Sequence, residues 1–249
     1  MNNRYFIAFS YSGKAYCGWQ RQPNGLSVQE VMEKCMSLKT GSKVELLAAG
    51  RTDAGVNAKC MTAHFDFEGE WDNKLNDKLN AFLPADIAIL NVCRVKNEAH
   101  ARFSALSRSY EYHIILEKNP FLTEFAWYIH KMPDVEAMKS ALSALFRFSE
   151  FTSFSKMHSD NKTDICKILK ADICLKENNL LVFSITADRF LRNMVRAITG
   201  TLVDVGLGKI SPERFSEIIA AKDRSLASMS APAQGLFFVK ANYDEDVFI

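Results

Sequence analysis

The chain has 249 residues, of which 48% are hydrophobic and 24% charged, and its formal net charge is +2. These values are typical of a globular protein of one large or two ordinary domains, and so small a charge leaves only a localised basic surface for binding nucleic acid. The N-terminal residues lack the pattern of a signal peptide, and no apolar stretch is long enough to span a membrane. Six cysteines without a C-x-x-C pair favour reduced thiols, as in the cytoplasm.

The first part of the sequence predicts strands and helices in the order βαββαβ, which is the ferredoxin-like unit. Residues 4–11 are rich in aromatic and β-branched side chains, which is typical of a strand. Ser27 and Glu30 form a capping box that begins a helix. The other predicted segments are strands 44–50, 61–67 and 87–95 and a helix that ends at Pro84.

The second part repeats this order. Its predicted segments are strands 109–116, 166–175, 180–186 and 235–243, and helices that begin near 134, run over 188–205 and begin at Ser211-Pro212. We therefore predict an α/β fold of the α+β kind, made of two ferredoxin-like halves, residues 1–103 and 104–249. The two halves are expected to form a joined sheet, mixed or antiparallel, with a central cleft.

A long loop separates the two middle strands of the first half. Gly50 and Gly55 bracket it, and Arg51 and Asp53 lie between them. Hairpin loops usually need only about two to five residues, so this loop does more than turn the chain. An ionised Asp can act as a nucleophile or as a base, and the glycines would let the backbone approach a ligand. The alternative is an Arg–Asp ion pair that holds the loop in place.

Two further segments have residues suited to RNA, each with a structural alternative. Tyr110 and Tyr112 share one face of a strand, where they could stack on bases or pack in the core. Arg189, Arg192 and Arg196 are three and four residues apart and are predicted to form one stripe on a helix. A stripe of arginines suits phosphates, whereas the alternative is an ordinary solvated face.

The loop after the first strand holds Trp19 and Arg21. An exposed Trp beside an Arg would suit RNA contact, whereas a Trp tucked under its own loop would be structural. The histidines (64, 100, 113, 130 and 158) have no metal-ligand spacing, and no phosphate-binding motif is present. We therefore expect neither a metal nor a nucleotide cofactor.

Seven segments taken in order resemble the tRNA pseudouridine synthase A family. They are GWQRQ (18–22), SVQE (27–30), GRTDAGV (50–56), ARFSA (101–105), R-x-Y-x-Y (108–112), FLRNMVR (190–196) and APAQGL (231–236). The resemblance covers nearly the whole chain and implies the pseudouridine synthase fold. It also implies a homodimer that isomerises uridine to pseudouridine at positions 38 to 40 of the tRNA anticodon stem-loop, without a cofactor.

The resemblance also implies roles for individual residues. Asp53 matches the catalytic aspartate, which could attack the sugar, attack the uracil ring or abstract a proton. Arg51 matches the arginine that holds the target nucleotide out of the stack, and Tyr110 matches the tyrosine that contacts the target base. Arg196 matches the arginine that pairs with the aspartate, and Leu236 lies in the family's last motif.

One departure from the family pattern is Asn57, where the family usually has His. Because an amide and an imidazole can both donate a hydrogen bond to a phosphate or a carbonyl, we expect the contact to be retained. An alternative function is that of a non-catalytic RNA-binding protein of duplicated ferredoxin-like units. That alternative gives no reason for Asp53, because a carboxylate repels phosphate.

Overall fold

A computed structural model describes residues 2–23, 25–156 and 163–249. The elements in chain order are β1 (Asn2–Tyr11), α1 (Val28–Thr40), β2 (Leu47–Ala48), β3 (Asn57–Glu68), α2 (Lys74–Asn80), β4 (Ile87–Val95), β5 (Ala105–Ile115), β6 (Trp127–Tyr128), α3 (Val135–Leu142), β7 (Ile168–Lys176), β8 (Leu180–Ala187), α4 (Met194–Gly206), α5 (Pro212–Ala221) and β9 (Leu236–Tyr243). The predicted mixed α/β fold class is confirmed. None of the helices in the described ranges is long and apolar enough to cross a membrane.

The chain divides into two compact units, Met1–Ser107 with Phe237–Ile249 and Arg108–Leu236. The strand expected to close the second half, β9, pairs in parallel with β3, and from Phe237 onward it belongs to the first unit. The division into halves at residues 103 and 104 stays a prediction.

The first unit follows the predicted order of elements. β1 pairs antiparallel with both β3 and β4, and β2 pairs antiparallel with β3. Helix α1 begins where the capping box predicts it, because the Ser27 side chain accepts a hydrogen bond from the Glu30 backbone N–H. Val28, Met32 and Met36 recur every four residues along α1 and are fully buried, so this face of the helix contributes to the core.

The strand predicted over residues 44–50 is shortened to β2. The Val44 backbone N–H donates to the Ser37 hydroxyl, and the Leu46 backbone N–H donates to the Glu33 carboxylate. Because side chains of α1 take these donors, the segment before Leu47 has no strand pairing.

The second unit places α4 in the middle of its core. β8 pairs antiparallel with β5 and β7, and β6 adds to β5 in parallel. Helix α4 is buried on nearly every side, and a Cβ at Gly200 would lie 1.9 Å from the carbonyl oxygen of Met229. Glycine therefore allows the segment that follows α5 to lie directly on the helix. The predicted start of α5 is confirmed by Ser211, whose side chain accepts from the Arg214 backbone N–H.

Candidate active-site residues

Asp53 lies in the loop between β2 and β3 of the first unit. Its side chain is half-buried, whereas that of the neighbouring Arg51 is exposed. The Asp53 carbonyl accepts a hydrogen bond from the Val56 backbone N–H at 3.1 Å, and Gly55 has the left-handed φ of 78° that completes this turn. Position 53 therefore lies at the beginning of a closed turn that leads directly into β3.

The loop that follows β1 holds the Asp53 loop by hydrogen bonds on both sides of the aspartate. The Trp19 backbone N–H donates to the Thr52 carbonyl at 3.2 Å, and the Gly55 backbone N–H donates to the Tyr16 carbonyl at 3.4 Å. The buried hydroxyls of Tyr11 and Thr52 are 2.7 Å apart and share a further hydrogen bond. The backbone around Asp53 is therefore fixed by a segment more than thirty residues earlier in the chain.

Two glycines make this close approach of the loops possible. A Cβ at Gly13 would lie 2.1 Å from the Val56 carbonyl oxygen, and a Cβ at Gly18 would lie 2.4 Å from the Thr52 carbonyl oxygen. Gly18 also has a φ of 93°, which side chains rarely adopt. Both positions require glycine because backbone packs against backbone.

Asn57 has a structural position, and the expectation that its amide retains the family's contact with a phosphate or a carbonyl stays a prediction. Its side chain is 2% exposed, and its Oδ1 atom accepts a hydrogen bond from the Gly13 backbone N–H at 2.9 Å. Since the buried amide accepts this bond from the loop after β1, it helps to hold the Asp53 loop.

The structure favours the structural alternative for Trp19 and corrects its assignment as an RNA-binding residue. The indole is 3% exposed and packs against Phe9, with 5.1 Å between the ring centroids. Arg21, by contrast, is exposed, and its Nη2 atom donates to the Glu33 carboxylate at 3.0 Å. This ion pair orients Arg21 while leaving 58% of its side chain accessible.

The two tyrosines of β5 are buried within the second unit. Tyr112 is fully buried, its hydroxyl donates to the Pro232 carbonyl at 2.7 Å, and burial raises its pKa above the ordinary value. Tyr112 is therefore a core residue. Tyr110 is 9% exposed and meets the ring of Phe190 edge-to-face, with 5.0 Å between centroids.

Arg196 lies in the first turn of α4 and is bonded to the last motif of the sequence. Its Nε atom donates to the Ala231 carbonyl at 2.7 Å, and its own carbonyl accepts from the Ala231 backbone N–H at 2.9 Å. The motif ends at Leu236, which is 6% exposed. A Cβ at Gly235 would lie 2.8 Å from the Tyr112 ring, so the motif is also packed tightly on β5.

Ala231 and Pro232 were not identified as site residues from the sequence, although Ala231 is bonded to the predicted site residue Arg196 and Pro232 to the neighbouring core residue Tyr112. The APAQGL segment could have indicated them, because its small and rigid residues suit a chain that lies close against a helix and a strand. Their contribution is made by backbone carbonyls, and a sequence does not reveal the direction of a carbonyl.

The predicted stripe of three arginines on one helix is wrong. Helix α4 begins at Met194 and follows Asn193, whose φ of 67° is left-handed, so Arg189 and Arg192 precede the helix. The Asp188 carboxylate accepts from the backbone N–H groups of Lys167 and Arg189, which keeps this segment in an irregular conformation. Arg192 is exposed and Arg189 is half-buried.

The predicted site residues thus form two groups. Trp19, Arg21, Arg51 and Asp53 belong to the first unit, and Tyr110, Arg189, Arg192, Arg196 and Leu236 belong to the second. Within the described parts of the chain, no three His, Cys, Asp or Glu side chains cluster so as to hold a metal ion, and His158 lies outside the described residues. No disulfide joins the six cysteines, all of which are described.

Comparison with known proteins gives matches along the whole chain. A family model for tRNA pseudouridine synthase matches residues 149–244. The chain is 49% identical to the tRNA pseudouridine synthase A of Bacteroides fragilis over 247 residues, with 98% of each protein covered. It is 48% identical to that of Bacteroides thetaiotaomicron, covering 98% of this chain and 92% of the relative. It is 47% identical to that of Parabacteroides distasonis, with 98% of each covered.

Proposed function

Because the chain belongs to the tRNA pseudouridine synthase A family, it is a pseudouridine synthase, and we propose that it modifies positions 38 to 40 of the tRNA anticodon stem-loop with Asp53 as its catalytic residue. The observation that carries the catalytic assignment is the half-buried carboxylate in a loop whose backbone is bonded on both sides of it. A loop that only reversed the direction of the chain would need neither the extra residues nor the hydrogen bonds to the loop after β1.

The reaction needs a carboxylate in a defined place and no water as a reactant. The bond from the sugar to the uracil nitrogen breaks, the uracil rotates, and a bond forms from the sugar to a ring carbon, which gives up its proton while the nitrogen gains one. Hydrolysis of a glycosidic bond usually calls for two carboxylates and a water molecule, whereas this isomerisation conserves every atom. A single aspartate is therefore consistent with the proposed chemistry.

The hydrogen bonds around the loop support this role because positioning contributes directly to rate. Thr52 precedes Asp53 and is held by both its carbonyl and its hydroxyl, and Gly55 follows it and is held by its N–H. A misplacement of about 1 Å can lower a rate roughly a hundredfold. Since the target base must first be flipped out of the RNA, a loop that does not rearrange keeps the carboxylate ready for it.

We propose further roles for four residues from the family resemblance. Arg51, which is exposed beside Asp53, holds the flipped nucleotide out of the stack. Tyr110 contacts the target base, and Leu236 lines the pocket that holds this base. Arg196 pairs with the catalytic carboxylate, and its Nε bond to the Ala231 carbonyl supports the role because it fixes the orientation of the guanidinium.

The alternative of a non-catalytic RNA-binding protein is disfavoured by the relatives at 47% to 49% identity, each of which is a tRNA pseudouridine synthase A. We also propose that the enzyme is a homodimer and acts in the cytoplasm. Six cysteines without a disulfide are consistent with a reducing compartment.

The test is to map pseudouridine in a full-length tRNA transcript after incubation with the wild-type protein and with Asp53→Asn. The amide keeps the size of the side chain but loses its charge and nucleophilicity, so we expect product to fall below detection while tRNA binding and the melting temperature stay within error. Asp53→Asn that still makes pseudouridine would refute the catalytic role. Wild-type product found only outside the anticodon stem-loop would refute the proposed target.

The matched control is Asp66→Asn in the same unit. Asp66 forms a bidentate ion pair with Arg4, at 2.7 and 2.8 Å, and so represents the purely structural Arg–Asp pair that is the alternative for Asp53. Because the pair is partly exposed, its loss should cost about 0–1 kcal/mol of stability and leave turnover unchanged. The two variants together separate a lost carboxylate from a lost ion pair.

A further inference from the structure

Three aromatic rings form a row in the first unit that ends at Phe103 of the ARFSA segment, to which the proposed chemistry gives no role. The rings of His64 and His100 are 4.4 Å apart between centroids, and the rings of His100 and Phe103 are also 4.4 Å apart. His64 is 3% exposed and Phe103 is 77% exposed. The row therefore leads from the buried interior to a ring that lies almost entirely in solvent.

The turn that carries Phe103 is held rigidly. The Nδ1 atom of His100 accepts from the backbone N–H groups of Arg102 and Phe103, at 3.1 and 3.4 Å. The Ala101 backbone N–H donates to His64 Nδ1 at 3.2 Å, and the Ala101 carbonyl accepts from a tyrosine hydroxyl on β9. Since the turn is already ordered, little conformational entropy is lost when a ligand contacts the exposed ring.

The exposed ring has a positive charge over it. The guanidinium carbon of Arg102 lies 5.6 Å from the centroid of Phe103, and the Arg102 side chain is exposed. Burial lowers the pKa of His64 to about 4 and also lowers that of His100, so the two rings behind Phe103 are neutral at pH 7. The surface thus offers an apolar ring and one cation on a fixed turn.

We propose that Phe103 and Arg102 form a stacking site for an unpaired nucleobase of the tRNA, separate in sequence from the Asp53 loop. Single exposed aromatic residues are common on protein surfaces, but a ring supported by two others and flanked by a guanidinium matches the way proteins bind unpaired bases. The base stacks on the ring, and Arg102 contacts the adjoining phosphate. The proposal rests on tRNA being the substrate.

The test compares the affinity for tRNA of wild-type protein, Phe103→Ala and Phe103→Trp, with the salt dependence measured for each. Loss of one stacked base should weaken binding of the alanine variant roughly 5- to 150-fold. Its plot of log affinity against log salt should keep the wild-type slope, because no charge is lost. The tryptophan variant keeps a stacking ring and should bind within a few-fold of wild type.

Two controls make the result specific. Phe121→Ala removes a phenylalanine of the second unit that is even more exposed, at 88%, and should leave affinity unchanged. Arg102→Gln should flatten the salt slope by about 0.7 to 0.9, the value for one phosphate contact. Melting temperatures should match wild type for both Phe103 variants, since the ring is mostly in solvent.

The proposal is overturned if Phe103→Ala binds tRNA as tightly as wild type does. It is also overturned if the variant changes the oligomeric mass in sedimentation and the loss of affinity follows dissociation, because the ring would then contact a second copy of the chain. These outcomes are distinct from failure of the proposed function, which is read from the position of pseudouridine in the product and from Asp53→Asn.

Discussion

Tyr110 and Tyr112 are two residues apart on β5, and their contacts separate a proposed catalytic role from a structural one. Both rings are buried, and the hydroxyl of Tyr112 donates to a backbone carbonyl of the last motif, that of Pro232. The ring of Tyr110 packs on Phe190, which follows β8 and precedes α4. Removing one oxygen atom at each position therefore tests two different interactions.

Tyr110→Phe should bind tRNA within about twofold of wild type and lose most product formation, since the ring stays and only the hydroxyl that we propose contacts the target base is lost. Tyr112→Phe should instead lower the free energy of unfolding by about 1–3 kcal/mol, because the Pro232 carbonyl loses its donor. Single-turnover rates and urea denaturation of both variants check this. Wild-type turnover in Tyr110→Phe would assign Tyr110 to the core.

At single positions, prediction from the sequence failed where burial depends on a distant segment. Asp53 was singled out because its loop is too long for a hairpin and is bracketed by glycines, and its catalytic role stays a proposal. Trp19, in the loop after β1, was assigned to RNA contact, yet it is buried against Phe9, and its loop is bonded to the Asp53 loop. No local pattern indicates that those two loops meet.

At the scale of elements, the loop after β1 packs against the Asp53 loop, and the closest approach of the two backbones is at Gly13. Gly13→Ala would place a Cβ 2.1 Å from a backbone oxygen of Val56, so one loop must move. We expect a loss of about 1–3 kcal/mol in stability and a fall in turnover of roughly a hundredfold at unchanged tRNA affinity. Thermal unfolding and single-turnover kinetics measure both effects.

The control for this variant is Gly208→Ala, after α4. Gly208 has a φ of 72° and no atom within 4 Å of an added Cβ. The substitution should cost about 1–2 kcal/mol through backbone strain alone and leave turnover unchanged. If the two alanine variants lost turnover equally, the effect at Gly13 would be a general loss of stability and not a displaced Asp53 loop.

The element boundaries show where local sequence predicts an element and where it fails. β4 has the predicted limits, 87–95, because its run of apolar and β-branched residues is typical of a strand. The helix predicted over 188–205 begins about a turn and a half later, at Met194. The Asp188 carboxylate accepts hydrogen bonds from backbone N–H groups, and Asn193 has a left-handed φ, so the segment before Met194 is not helical. Hydrogen bonds between side chains and the backbone override the helical periodicity. As a result, Arg189 and Arg192 precede α4 and do not share a helix face with Arg196.

Arg189 and Arg192 lie outside α4 but stay candidates for phosphate contact, and the prediction for them concerns salt. Changing both to Gln should weaken tRNA binding and flatten the plot of log affinity against log salt by about 0.7 to 0.9 for each arginine that meets a phosphate. Arg214→Gln on α5, which removes an exposed arginine bonded to Glu217, should keep the wild-type slope. An unchanged slope in the double variant would mean that these arginines only face solvent.

At the scale of the whole molecule, we expect His64 to make stability depend on pH. It is buried on β3, its Nδ1 atom accepts from the Ala101 backbone N–H, and burial together with the nearby His100 lowers its pKa to about 4 from an ordinary value of 6.5. Between those two values the unfolded chain binds a proton that the folded chain does not. The free energy of unfolding should therefore fall as pH falls from 6.5 to 4. Above pH 6.5, the stabilising contribution of the neutral His64 is fully present.

The expected size of this effect is about 3 kcal/mol, from 1.36 kcal/mol for each pH unit of the difference. His64→Asn keeps an acceptor for the Ala101 N–H but does not titrate in this range, so its stability should fall about 3 kcal/mol less than that of wild type between pH 7 and pH 4. Urea denaturation at a series of pH values measures the difference. His130→Asn changes an exposed histidine and should follow the wild-type curve. Parallel curves for His64→Asn and wild type would show that His64 is protonated in the folded protein as readily as in the unfolded chain, and the acid sensitivity would then arise elsewhere.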